Sequence, residues 1–204
     1  MQATTSGRSI RPALLASAGR DKVAVITGLE PAWAGAYVMG RAFTARGSRG
    51  DNLALHLAIA RAERGDVIVA DVQGERRTAH CGDLLARAAM ARGIAAVILN
   101  GAIRDRRSIA ELRYPVFHCG VSPAGPTKDV VGELGTSVSL AGVVVHTGDL
   151  VCADDDGIVV LPSAAAASVV EEAVELGARE FEFERRIADG ESTVEIFQLT
   201  GLDG

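Results

Sequence analysis

Apolar and polar positions divide the chain into a series of short strands and helices. KVAVITGL (22–29), YVMGRAFTARG (37–47), DVIVADV (66–72), IAAVILN (94–100) and PVFHCG (115–120) are apolar or β-branched runs that read as strands. Asp51 is placed to cap a helix through LALHLAIARAER, with Leu53, Leu57 and Ala60 on one face and Gly65 as its stop. Gly82 and Asp83 open a second helix, LLARAAMAR, closed by Gly93. Strand, helix and strand at this spacing predict a βαβ unit with a right-handed crossover and a parallel pair. Farther on, SVSLAGVVVHTGDLVCADDDGIVVLP has short strands joined by Gly-Asp and Asp-Gly turns, which predicts antiparallel hairpins. Ser163 then caps a long helix to about Ile187, and a glycine-containing tail follows. No internal repeat or low-complexity linker interrupts the pattern. The expectation is one α/β domain over residues 1–204 with a mixed sheet, in which residues 1–20 form a mobile arm or a first helix.

Composition narrows the function classes. With 204 residues, 48% of them hydrophobic, the chain can bury a sizeable core. Its formal net charge is −5, which gives no basic surface for nucleic acid. No apolar run approaches a membrane span, and the opening residues lack the apolar segment of a secretion signal. Cys81, Cys119 and Cys152 are widely spaced with no CxxC pair. That fits a reducing, cytoplasmic setting.

Open α/β sheets bind ligands beyond the carboxyl ends of their strands. Two parts of this chain arrive there. One is the N-terminus of the helix that begins at GDLL, whose free N–H groups and dipole favour an anion. The other is NGAIRDRRS (100–108), which carries Arg104 and Asp105 just past a buried strand. Twenty residues, 84–103, separate Asp83 from Arg104: one helix, one turn and one strand, returning the chain to the same edge. A guanidinium can grip a carboxylate bidentately and stabilise an oxyanion. Carboxylates supply hard oxygen ligands to magnesium, and the amides of Leu84 and Leu85 can hold a small carboxylate. Together these parts describe a site for a 2-oxo acid whose enolate is stabilised by a metal and an arginine. A plainer account also fits, with Asp83 as a first-turn acid and Arg104–Asp105 as a loop ion pair. Spacing alone leaves both open.

The stretch GDLLARAAMARGIAAVILNGAIRD resembles the core of the RraA-like family, which holds the regulator of ribonuclease activity A and the class II pyruvate aldolases. The likeness extends to DNLALHLAIARAERGDVIVAD before it and to YPVFHCGVSPAG and HTGDLVCADDDGIVVLP after it, about residues 37–190. The aldolase hallmark is an Asp, twenty intervening residues and an Arg-Asp pair, which Asp83, Arg104 and Asp105 reproduce. The resemblance implies an RraA-like β/α sandwich, assembled as a homotrimer or hexamer with sites at subunit interfaces. It implies a lyase, dependent on Mg2+ or Mn2+, that cleaves 4-hydroxy-4-methyl-2-oxoglutarate or 4-carboxy-4-hydroxy-2-oxoadipate and decarboxylates oxaloacetate. By position, Asp105 corresponds to the direct metal ligand and Asp83 to a ligand through water. Arg104 corresponds to the partner of the pyruvate carbonyl and carboxylate, with the amides of Leu84 and Leu85 at the carboxylate. The family adds an acid from the neighbouring subunit's last long helix, about ten residues before a glycine. Glu180, ten before Gly190, fits that place, with Glu182 and Glu184 as competitors. The regulator branch implies a different class of function: a non-catalytic trimer that docks on ribonuclease E. The chain departs from the family in SIRPALLASAGRDKVAVITGLEPAW, which has no counterpart of the usual first helix bearing Thr and then Asp-Ala.

Other residues read as supporting structure. His80 adjoins the proposed site and has a pKa range suited to acid–base work; the family relies on water activated by metal, so a packing or supporting role is expected. His56, His118 and His146 read as structural. Asp154-Asp155-Asp156-Gly157 lacks the EF-hand spacing and reads as a turn. Glu171, Glu172 and Glu175 read as a solvated helix face.

Overall fold

A computed structural model describes residues 4–5 and 8–200. Of the arm or helix expected over residues 1–20, residues 1–3 and 6–7 lie outside the described residues, and Pro12–Gly19 is a helix, α1. The following elements are strands β1 (Ala24–Ile26), β2 (Glu30–Pro31) and β3 (Val38–Arg46), then helix α2 (Leu53–Arg61). Next come β4 (Val67–Cys81), α3 (Asp83–Arg92), β5 (Ala96–Ile103), α4 (Arg106–Glu111) and β6 (Val116–His118). The later half holds β7 (Val138–Leu140), β8 (Val143–Val145), β9 (Leu150–Asp154) and β10 (Gly157–Leu161). The chain then enters α5 (Ser163–Ala188) and a short α6 (Thr193–Ile196).

One mixed sheet organises these elements in the order β1-β10-β9-β3-β4-β5-β6-β2. The centre, β3 to β6, is parallel, and β9, β10, β1 and β2 pair antiparallel at its flanks. Both faces of the parallel part are covered, which is why its strands are apolar without alternation. On β4, Ile68, Ala70 and Val72 pack with α2 and α3, whereas Val67 and Val69 face the β7–β8 hairpin. A third cluster joins α1 and α5 to β9 and β10 through Leu14, Leu15, Cys152, Leu161 and Val169. Among the described residues no helix is long and apolar enough to cross a membrane.

Four local expectations need correction. Helix α2 buries Ala54, Leu55, Ala58 and Ile59, while Leu53 and Leu57 are half-buried and Ala60 is exposed. Apolar residues surround this helix, so contact with the sheet selects the face, and the small alanines allow a close approach. The helix also ends at Arg61, before Gly65, because Ala62 is extended and the Glu63 N–H donates to Asp66 Oδ2 at 2.9 Å. Ser163 is the first helical residue of α5 and not its cap; its N–H donates to Asp149 Oδ1 at 3.3 Å. Finally, β5 continues through Gly101-Ala102-Ile103, and a short helix, α4, follows where a loop was expected.

The sheet interior sets the stability. Ile98 is fully buried in the cluster between the sheet and the β7–β8 hairpin. Ile98→Ala should cost about 2–5 kcal/mol in urea unfolding, whereas Val144→Ala, at an exposed hairpin position, should change stability by less than about 0.5 kcal/mol.

Candidate active site

The adjacent parallel strands β4 and β5 deliver the site. Their last register pair is Cys81 opposite Ile103, and the Arg104 N–H donates to the Cys81 carbonyl at 2.9 Å. Asp83 and Asp105 therefore both stand two residues beyond the same pair. Gly82 is the N-cap of α3 and Asp83 its first residue; Asp105 is the N-cap of α4. Asp105 has φ +55° and ψ 33°, a left-handed conformation that Asp tolerates better than most side-chain-bearing residues.

Contacts among the three residues are close but not tight. The Asp83 N–H donates to Asp105 Oδ2 at 3.4 Å, and Arg104 Nε lies 3.4 Å from the same oxygen. Asp83 Oδ2 also faces Arg87 Nε at 3.5 Å. A Cβ at Gly82 would lie 2.7 Å from Asp105 Oδ2 and 3.1 Å from Arg104 Cγ, so only glycine leaves room for this arrangement. The first intrahelical bond of α3 runs from Ala86 N–H to Gly82 C=O. The N–H groups of Leu84 and Leu85 are thus without helical partners, as expected of a first turn.

Arg104, Asp105, Leu84 and Leu85 line a cavity of about 100 Å³ together with Asn52, His56, Pro126 and Lys128. A second cavity shares Arg104 and Asp105 with Val121, Ser122 and Pro123. Glu180 is not brought to this edge. It bonds Arg11 at 3.0 Å on α5, and Glu182, on the same helix, bonds Arg185 at 2.7 Å. Among the described residues no group of three or more His, Cys, Asp or Glu is assembled for a metal. One chain therefore offers two carboxylates, Asp105 and Asp83, both partly open to solvent. Such a pair suits a hard cation that keeps several waters.

Sequence reasoning missed Asn52, Pro126 and Lys128, and read His56 as structural only. The available signal was topological: α2 starts at the carboxyl end of β3, so its first turn shares the edge with α3. Burial and the nearby Lys128 charge lower the pKa of His56. His80 is fully buried, and neither ring nitrogen has a hydrogen bond of normal geometry among the described residues. The carbonyls of Ser48 and Thr78 lie near its ring, but burial outweighs them and favours the neutral form. The Cys81 thiol, pushed up to about 12 by burial and by Asp105, is no thiolate nucleophile.

A family model described as RraA-like, aldolase/RraA, matches residues 12–160. The chain belongs to the RraA-like family. A provisionally named 4-hydroxy-4-methyl-2-oxoglutarate aldolase of Halalkalibacterium halodurans is 37% identical over 152 residues, covering 74% of this chain and 72% of that protein. Among solved structures, an uncharacterized protein of Pseudomonas syringae pv. tomato superposes with a TM-score of 0.83 at 25% identity, over 93% of both chains. The RNA-processing inhibitor RraA of Thermus thermophilus matches with a TM-score of 0.68 at 28% identity, over 79% of this chain and 94% of that one. The RraA-like sandwich expected from the sequence is therefore the fold observed.

Behind the cavity wall, the buried Asp51 carboxylate accepts hydrogen bonds from the Leu53 N–H at 2.9 Å, the Thr127 hydroxyl at 2.7 Å and the Asp129 N–H at 2.6 Å. Burial by itself would push its pKa up, but these donors prevail and hold it at about 2. A depressed carboxyl pKa stabilises the fold above the unfolded value and loses that effect as pH falls through the folded value. The stability difference between the wild type and Asp51→Asn should thus be constant above about pH 5. It should shrink as pH falls from the ordinary value of 3.8 through about 2 in urea titrations.

Proposed function

We propose that this chain is a carbon–carbon lyase that acts on a 4-hydroxy-2-oxo acid or oxaloacetate through a pyruvate enolate. The observation that carries this reading is the meeting of Arg104, the unfilled first turn of α3 and Asp105 on one cavity. The N–H groups of Leu84 and Leu85 would take the substrate carboxylate at the positive end of the helix. The Arg104 guanidinium, a planar fork, would span that carboxylate and the 2-oxo oxygen. Its charge gains most when the oxygen becomes an enolate, so it favours the transition state over the substrate. Lys128 places a second cation on the same cavity, suited to a distal carboxylate.

Asp105, with Asp83 behind it, would hold a divalent cation such as Mg2+ or Mn2+, which would supply Lewis-acid charge at the 2-oxo group. The name of the Halalkalibacterium halodurans relative supports the aldol substrate class. We further propose a homotrimer or hexamer in which Glu180 of one copy completes the site of another, since among the described residues no group of three acids is assembled at the edge beside Asp83 and Asp105. Its setting is the cytoplasm. A second reading, a non-catalytic regulator docking on a ribonuclease, is favoured by the likeness to the Thermus thermophilus inhibitor. It predicts no turnover and no role for the Arg104 fork.

Arg104→Lys keeps the charge and loses the fork. Steady-state turnover of the active 2-oxo acid should fall roughly 30- to 1000-fold, as for loss of one oxyanion donor. An exposed ion pair alone, worth roughly 0–1 kcal/mol, would leave the rate almost unchanged. For Asp105, Asn is a sharper probe than Ala, because Asn also tolerates the left-handed backbone. Asp105→Asn should retain the wild-type melting curve and lose metal-dependent turnover; activity within a few-fold of wild type would remove Asp105 from the site.

A further inference from the structure

The segment 122–132 brings Pro126 and Lys128 to the cavity, and its path is held from several sides. Near the start, the Ser122 N–H donates to the Ile103 carbonyl at 2.9 Å and the Ala79 N–H donates to the Ala124 carbonyl at 2.9 Å. The Ser122 hydroxyl donates to the Arg77 carbonyl. In the middle, Asp51 and Thr127 pair as an isolated parallel bridge. The Thr127 N–H donates to the Gly50 carbonyl at 2.8 Å, and the Asn52 N–H donates to the Thr127 carbonyl at 3.1 Å.

The Asp51 side chain completes this clasp. Its Oδ1 takes the Leu53 N–H at the start of α2, and its Oδ2 takes the Thr127 hydroxyl and the Asp129 N–H. One buried carboxylate therefore ties two cavity walls together. On the α2 side those walls carry Asn52 and His56; on the loop side they carry Pro126 and Lys128. Gly125 of the loop lies beside Arg104, where a Cβ would come within 3.0 Å of Nη1. Among the described residues no basic side chain forms an ion pair with Asp51. Its charge is held by aligned N–H and O–H dipoles alone, an arrangement that requires every donor to keep its place.

We infer that Asp51 is a positioning residue that fixes Lys128 on the cavity wall, and so sets the affinity for the 2-oxo acid without touching it. This inference rests on the lyase reading above. If Asp51 serves only the start of α2, where Asn52 is the N-cap, KM should not respond to it.

The Asn side chain at position 51 can keep the bond to the Leu53 N–H through its oxygen while turning an NH2 group toward the Asp129 N–H, donor against donor. For Asp51→Asn, KM for oxaloacetate should rise about tenfold, the scale of one lost buried hydrogen bond, with kcat within about threefold of wild type, the split expected of lost uniform binding. Hydrogen exchange across 122–132 should quicken in the same variant. Combining Asp51→Asn with Lys128→Ala should give a KM within about twofold of Lys128→Ala alone, because both changes remove one effect. Thr127→Val, which deletes one donor and leaves the α2 contact, should raise KM in the same direction and replaces Asp51→Asn if that variant does not fold. An active wild type with an unchanged KM in folded variants, or with fully multiplicative effects of Asp51 and Lys128, overturns the inference and spares the lyase reading. A wild type that turns over neither oxaloacetate nor a 4-hydroxy-2-oxo acid overturns both.

Discussion

The parallel pairing of β4 with β5, ending at Cys81 opposite Ile103, is the constraint on which the candidate site depends. Hydrogen bonds in a parallel ladder fix where both strands stop, and side chains just beyond the stop inherit that registration. Asp83, Arg104 and Asp105 are such side chains. A one-residue slip would turn Val67 and Val69 toward the helices and Ile68 and Ala70 toward the hairpin, exchanging two buried faces of different shape. The core thus enforces the register of Val67–Asp71 with Ala96–Asn100; after bulges between Asp71 and Cys81, the pair Cys81–Ile103 and the bond from the Arg104 N–H to the Cys81 carbonyl place the candidate site.

A division of labour follows between backbone and side chains. In the proposed lyase, the backbone would supply the anion site through the unfilled first turn of α3, which costs no side-chain entropy to order. Side chains would supply the elements that respond to charge developing on an enolate: the fork of Arg104, and the two carboxylates through the cation they would hold. Gly82 and Gly125 leave the space in which Arg104 sits, since a Cβ at either would meet the guanidinium stem or its Nη1. Precision at the edge thus comes from omitted side chains as much as from those present.

Much of this was legible in the sequence because it is local. The run AAVIL announced a fully buried strand and DVIVADV the first half of β4, which continues to Cys81; Gly93 marked the end of α3 with its left-handed cap, and the Gly-Asp and Asp-Gly turns announced the hairpins. Convergence of Asp83 with Arg104 followed from counting one helix and one strand between them. What escaped reading is tertiary in origin. The buried face of α2 was misjudged because apolar residues occur on all its sides, so only the sheet decides which face is hidden. Lys128 lies in a segment with no periodicity, and it reaches the cavity through the clasp at Asp51 and Thr127. Glu180 was read by its distance from Gly190, and a single chain pairs it with Arg11; a partner helix has no signature within one sequence.

In the proposed lyase, this edge of the sheet forms and stabilises a pyruvate enolate. The most direct test is pyruvate release by the wild-type protein from oxaloacetate and a panel of 4-hydroxy-2-oxo acids, with Mg2+ or Mn2+ and with EDTA. Release of pyruvate that requires the cation and stops with EDTA is the result expected. No release from any of these acids, or equal rates with and without EDTA, would contradict the account.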